Sequence, residues 1–108
     1  MTVGYELSSA AETDLRTIIR YTRGEWGEAQ TRSYIRRLTL GIERIAAAQG
    51  AFKDMSALHP DLRMARCEHH YIFCLPRNDA PALIIAIFHE RMDLMVRLAD
   101  RLGPDDNC

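Results

Sequence analysis

The sequence predicts an α+β domain in which a helix hairpin packs on a small antiparallel sheet of three or four strands. Two long segments in the N-terminal half place apolar residues at helical spacing. From about residue 62 onward, the apolar residues instead follow the shorter period of strands. Turn residues separate three consecutive strand segments there, which favours an antiparallel meander with one face covered by the helices. The predicted order is strand, helix, helix, three strands and a C-terminal helix.

The N-terminal elements follow from capping and periodicity. Residues 3–7 are predicted to form a short strand. The first helix is predicted over residues 10–25, because Ser9 and Glu12 have the spacing of a capping box. The second helix is predicted over residues 28–48, and a short turn makes the two helices an antiparallel hairpin.

The C-terminal half contains strands and one helix. After a connector at residues 49–61, strands are predicted at residues 62–68, 69–75 and 83–88. The last strand is continuously apolar, which indicates a central strand buried on both faces. Asp93 is predicted to cap the final helix. The apolar stripe of that helix comprises Met95, Leu98, Ala99 and Leu102. The residues expected in the core are Leu15, Ile18, Leu38, Ile42, Phe73, Ile85 and Ile87.

Length and composition limit the class of protein. A chain of 108 residues predicts a single domain over residues 1–108, with residues 103–108 as a flexible tail. A net charge of −1 argues against a protein whose main task is to bind nucleic acid. There is no apolar run of membrane-spanning length and no secretory signal. The three cysteines do not suggest a disulfide framework, so a reducing cytoplasm is the expected compartment.

One group of residues invites a zinc interpretation. Cys67, His69, His70 and Cys74 carry the side chains that bind zinc. Adjacent histidines on a strand point to opposite faces, so both cannot face one metal. The cysteines are therefore interpreted as small apolar residues of one hairpin, and neither a metal nor another cofactor is expected.

Three strings in the chain resemble the ParE branch of the ParE/RelE toxin superfamily. They are residues 5–27, residues 71–73 (Tyr-Ile-Phe) and residues 89–93 (His-Glu-Arg-Met-Asp), in the order and spacing of that family. The resemblance implies a toxin of a bacterial type II toxin–antitoxin system that inhibits DNA gyrase by protein–protein contact, without catalysis. It also implies a cognate ParD-like antitoxin in a hetero-oligomer. The residues expected to contact the target are Arg91, Met92, Asp93, Met95 and Leu98.

Basic residues recur at helical spacing on both helices of the hairpin. They are Arg16, Arg20, Arg23, Arg37 and Arg44. Most such stripes are simply solvated faces. As a functional alternative, they would receive the carboxylates of an acidic antitoxin segment.

A nuclease is the main alternative function. Arg63, His89, Glu90 and Arg91 would supply an acid, a base and a cation for cleavage of RNA. RelE-type ribosome-dependent mRNA endonucleases resemble this predicted fold, but the lysines that they typically have along the second helix are missing. ParE-like chains usually have Tyr at the position of Cys74. A third alternative is a toxin-fold protein that only binds its antitoxin.

Overall fold

The computed structural model describes residues 4–103. The elements are β1 (Tyr5–Leu7), α1 (Ser9–Trp26), α2 (Glu28–Ala46), β2 (Lys53–Asp54), β3 (Arg63–Cys67), β4 (His70–Leu75), β5 (Ala82–His89) and α3 (Leu94–Leu102). The start of the first predicted strand at Val3 and residues 104–108 of the predicted tail lie outside the described range. None of the three helices in this range has the length and apolar character needed to cross a membrane.

The α+β class is confirmed, and the sheet has five strands in the order β1-β5-β4-β3-β2. It differs from the expected antiparallel sheet of three or four strands in two respects. The first strand pairs parallel to β5. The helix hairpin returns the chain to the end of the sheet at which β1 finishes, and the four strands β2 to β5 then alternate in direction, so β5 runs in the direction of β1. Lys53 and Asp54, predicted as connector, pair with Met64 and Arg63 as a two-residue edge strand.

The helix hairpin is defined by one serine and one glycine. The N-cap of α1 is Ser8 and not Ser9 as predicted, since the Ser8 Oγ accepts from the Ala11 N–H at 3.0 Å. The predicted capping box does not form, because the residue three positions after Ser8 is Ala11 and the Ser8 N–H donates to the Ile84 carbonyl. Gly27 has φ 87° and both ends α1 and begins α2. A backbone in this left-handed region favours glycine, so the turn between the helices depends on Gly27.

Helix α2 lies close to the sheet at Gly41. A Cβ atom at this position would lie 2.6 Å from the Sγ of Cys67 on β3. Any larger residue would therefore push the helix and β3 apart, which explains the glycine on an otherwise apolar stripe.

A β-bulge in β5 determines which side chains face each layer. Cys74 pairs with Ile84 and Phe73 pairs with Ala86, so Ile85 is an extra residue on β5. The alternation of faces is broken there, and both Ile85 and Ala86 pack on the face away from the helix hairpin. Ile84 and Ile87 pack on the hairpin face. Strand β5 is thus buried on both faces, as predicted.

The core prediction is confirmed for six residues and wrong for one. Leu15 is half-buried and packs at the margin of the hairpin core, whereas the other six are buried. The predicted stripe of α3 is also displaced. Leu94, Leu98 and Leu102 pack on the sheet, while Met95 is 49% exposed. The reason is the crossing of α3 over Phe88 and its neighbours, which selects the 94–98–102 row of the helix.

Candidate functional site

An open cleft of about 630 Å³ lies between the helix hairpin and the segment that follows β5. Its lining includes Tyr21, Trp26, Tyr34, His70, His89 and Met92. The side chains of Tyr21 and Trp26 are 65% and 62% exposed, although both are large and aromatic. Exposed aromatic residues at a concave surface mark a binding site more often than a packing defect.

The floor of the cleft is a pair formed by Tyr34 and His70. The Tyr34 hydroxyl lies 2.6 Å from the Nδ1 of His70 and accepts from the His69 N–H at 3.1 Å. Since the hydroxyl already accepts one hydrogen bond, its proton is available to His70 Nδ1, which requires the Nε2–H form of that imidazole. Burial lowers the pKa of His70 to about 4 and, as the main cause, raises the pKa of Tyr34. Both groups are therefore neutral at physiological pH.

The burial of His70 predicts a pH dependence of stability. The imidazole stays neutral in the folded chain down to about pH 4, whereas in the unfolded chain it takes up a proton near its ordinary pKa of about 6.5. Because the unfolded state binds more protons between these values, the free energy of unfolding is expected to fall as the pH falls from about 6.5 to about 4. Urea unfolding at pH 7 and pH 5 measures this loss. A His70→Gln variant should lose less over the same interval, and an equal loss would contradict the assignment.

A second polar group lies at the turn between β3 and β4. His69 Nδ1 and Arg66 Nη2 contact the two carboxylate oxygens of Glu90, at 3.0 and 2.5 Å respectively. The hydrogen bond from His69, aided by Arg66, lowers the pKa of Glu90. Glu90 is thus an ionised, fully engaged carboxylate rather than a proton donor.

The structure does not bring the four nuclease candidates together. Arg63 pairs with Cys74, at the end of the β3–β4 ladder opposite to His70 and His89. The two ends are four residue steps of strand apart, or about 13 Å. The Arg63 guanidinium donates to the Ile45 carbonyl at 3.2 Å and stacks on Phe52, so it has a structural role. Only His89, Glu90 and Arg91 remain neighbours, because they are consecutive in the chain.

The residues expected to contact the target are divided between the surface and the core. Arg91 and Met92 line the cleft, and Met95 is exposed on α3. Asp93 caps α3 by accepting from the Val96 N–H at 3.3 Å, as predicted. Leu98 is buried at 1% exposure, so it holds α3 on the sheet and is not accessible to a partner in this conformation.

Among the arginines expected to receive an antitoxin, one lies in the cleft. Arg37 lines it, pairs with Glu68 at 3.3 Å and lies over the Tyr34 ring. Arg16 and Arg20 are exposed on α1, outside the cleft lining. Of these three arginines, Arg37 is therefore the one that an occupant of the cleft would meet.

The other two arginines of that set have neighbours of their own. Arg23 pairs with Glu28 at 3.1 Å across the turn of the hairpin. The guanidinium of Arg44 lies against Gly50, where a Cβ atom would come within 2.8 Å of Nη2. Both arginines therefore contribute to the ends of α1 and α2.

The four residues considered for zinc are also separated. His70 faces Tyr34, His69 faces Glu90, and Cys67 donates to the Arg37 carbonyl. Cys74 is buried opposite Arg63, at the far end of the ladder, and burial raises the pKa of its thiol to about 11. No group of three potential ligands converges within residues 4–103.

The cleft itself was not predicted from the sequence. Tyr21 and Trp26 belong to one of the strings that support the family resemblance, and helix formation alone does not require them. Aromatic residues that the apolar stripe of the helix does not need were the signal in the sequence that could have indicated a cleft. Tyr34 belongs by its spacing to the apolar stripe of α2, whereas its hydroxyl reaches His70, 36 positions away.

Comparison with known proteins gives consistent results. A sequence model described as "ParE toxin of type II toxin-antitoxin system, parDE" matches residues 5–94. The chain is 69% identical over 98 residues to "Toxin ParE" of Escherichia coli, covering 91% of this chain and 95% of that protein. It is 29% identical over 94 residues to "Toxin ParE1" of Mycobacterium tuberculosis, covering 87% of this chain and 96% of that protein.

Solved structures with a similar fold include the following example. It is a chain of the "Chromosomal ParDE TA system from P. aeruginosa", with a TM-score of 0.65 at 15% sequence identity. The match covers 81% of this chain and 95% of that chain. At this level of identity the similarity shows the fold alone.

Proposed function

We infer the function from one premise: the chain belongs to the ParE toxin family of type II toxin–antitoxin systems. On that premise, the protein acts in the bacterial cytoplasm and inhibits DNA gyrase by protein–protein contact. A ParD-like antitoxin neutralises it within a hetero-oligomer. The toxin needs no cofactor for this activity.

The observation that carries the proposal is the cleft with its exposed Tyr21 and Trp26. Large aromatic side chains that line a concave surface are frequent anchors of a protein interface. An antitoxin segment that is disordered when free gains affinity by laying the apolar face of a helix on such a surface. Its carboxylates would meet Arg37 inside the cleft and Arg16 and Arg20 along α1.

The target contact is proposed at the junction between β5 and α3. Arg91, Met92 and Met95 form an exposed surface with both a cation and apolar area. Methionine side chains are flexible and adapt to the surface of a partner. Asp93 and Leu98 support this surface, the first by capping α3 and the second by anchoring it.

The arrangement of the candidate nuclease residues supports contact rather than catalysis. Arg63 lies at the far end of the sheet, and Glu90 is held ionised by His69 and Arg66. An acid–base mechanism needs a group poised to exchange a proton near neutral pH. Glu90 does not meet that requirement, and Nδ1 of His89, the other acid–base candidate, is already engaged by the Arg91 N–H.

A gyrase assay tests the proposal. Purified protein is expected to inhibit supercoiling of relaxed plasmid or to trap cleaved DNA. An Arg91→Ala, Met95→Ala variant should need at least about tenfold more protein for the same inhibition, the loss typical of interface anchors. Arg97→Ala is the matched control, since Arg97 is exposed on the same helix but is not part of the proposed surface.

Two other results would replace the proposal. Cleavage of mRNA on the ribosome, abolished by Arg91→Ala, would establish the RelE-type endonuclease instead. Tight binding of the antitoxin, without inhibition of gyrase or cleavage of mRNA, would establish a toxin fold that only binds its partner.

A further inference from the structure

Strand β5 is only half covered by a neighbouring strand on its outer side. β1 pairs with Ala82, Leu83 and Ile84 of β5, and the Ser8 N–H extends the ladder to the Ile84 carbonyl. Beyond that point, the bulge at Ile85 reverses which backbone groups face the outer edge. An edge of this kind presents unpaired backbone groups that must be satisfied in another way.

Two charged side chains replace the missing strand. The Asp14 carboxylate accepts from the Ile87 N–H at 3.0 Å. The Arg101 guanidinium donates to the Ile85 carbonyl at 2.8 Å and to both oxygens of Asp14, at 2.8 and 3.1 Å. It also lies over the Phe88 ring, 4.9 Å from its centroid. The side chain of Arg101 is only 24% exposed and that of Asp14 only 15%, so this ion pair is shielded from solvent and salt.

The Asp14–Arg101 pair joins the two layers of the molecule across this edge. Asp14 belongs to α1 and lines the cleft, while Arg101 belongs to the last turn of α3 on the opposite face of the sheet. Helix α3 has nine residues, which is too short to be stable without tertiary contacts. Its other attachment is the row of three leucines on the sheet.

We propose that Asp14 and Arg101 are positioning residues that hold α3 in the orientation in which its exposed face contacts the target. The proposal rests on the proposed function, because it assigns the target contact to the segment that includes Met92 and Met95. The physical reason is that opening the pair leaves a charge and two backbone groups of β5 without partners. Helix α3 therefore stays docked while the pair is closed, and its target-contact face keeps one orientation.

Hydrogen exchange of the full chain tests the positioning role directly. In Arg101→Met, which keeps an apolar stem over Phe88, the amides of α3 are expected to exchange at least about tenfold faster, as for loss of a shielded ion pair. In Leu38→Ala, which weakens the hairpin core but leaves the pair intact, the Phe73 amide should exchange faster while the α3 amides change less than twofold, because α3 can detach without disturbing Leu38. Arg101→Lys keeps a positive charge opposite Asp14 but loses the two-point contact, so only part of the protection of α3 should return.

Three results would overturn the proposal. Equal acceleration of α3 and Phe73 in Leu38→Ala would mean that α3 opens only together with the whole domain, so that the pair contributes only to global stability. No acceleration at α3 would mean that the leucines alone hold the helix. Identical exchange in the Lys and Met variants would mean that charge pairing is not the cause.

The gyrase assay separates this inference from the function on which it rests. If the wild-type protein inhibits gyrase, Arg101→Met should inhibit it at least tenfold less, and Arg101→Lys should recover part of the inhibition. If the wild type inhibits and Arg101→Met inhibits equally well, the positioning role is wrong. If the wild type does not inhibit at all, the proposed function fails, whereas the exchange measurement still decides whether the pair holds α3.

Discussion

Replacement of Leu38 by alanine is expected to lower the free energy of unfolding by about 2–5 kcal/mol. This is the range for a buried leucine when the surrounding structure cannot collapse into the cavity that the substitution leaves. Leu38 is fully buried at the centre of the core between α2 and the sheet. Its neighbours come from α1, α2, β4 and β5, so no single element can move to fill the cavity. For a domain whose total stability is about 5–15 kcal/mol, this loss is a large fraction.

Urea unfolding followed by far-ultraviolet circular dichroism measures the change for Leu38→Ala. The matched control is Leu40→Ala on the same helix, where the leucine is 54% exposed and a change below about 0.5 kcal/mol is expected. A change below about 0.5 kcal/mol for Leu38→Ala as well would contradict the packing of α2.

The parts of the fold that were predictable depend on local signals. The helix hairpin follows from the spacing of apolar residues and from Gly27, and Asp93 caps α3 through its own neighbours. The Ser8 cap was missed because Ser8 and Ser9 are both capable caps, and the choice depends on where β1 ends. Local sequence decides that an element exists more reliably than where it begins.

The pairing of strands was less predictable because it depends on distant residues. The parallel pairing of β1 with β5 joins residues more than 70 positions apart. The bulge at Ile85 lies in a run that is apolar throughout, so the change of face leaves no mark in the sequence. Only the packing of β5 between two layers identifies the extra residue.

The candidate site was predictable only where its residues are consecutive. His89, Glu90 and Arg91 were identified together because they adjoin in the chain. The link between Asp14 and Arg101 spans 87 positions, and one more ion pair among many charged residues gives no signal in a single sequence. Arg63 was grouped with the wrong residues, because the sequence does not show which end of the sheet a strand residue occupies until the register of the strands is known.

Replacement of Trp26 by alanine is expected to weaken binding of the C-terminal half of the cognate antitoxin by at least about 30-fold, or about 2 kcal/mol, as for a central aromatic anchor. Trp26 is 62% exposed at the end of α1, so its removal should change the stability of the free toxin little. Trp26→Phe should retain most of the affinity, because a ring remains to fill the cleft. Isothermal titration calorimetry of the three proteins measures the difference, and urea unfolding checks that they are equally folded.

The electrostatic part of antitoxin binding is expected to be smaller than this apolar part. Arg16 and Arg20 are exposed and lie outside the cleft lining, so changing both to Glu should weaken binding by about tenfold or less. The loss should grow as the salt concentration falls, since screening is then weakest. The loss caused by Trp26→Ala should be nearly independent of salt, because it removes buried apolar area. If the arginine double variant loses more affinity than Trp26→Ala at physiological salt, the antitoxin binds chiefly along α1 and the cleft is not its main site.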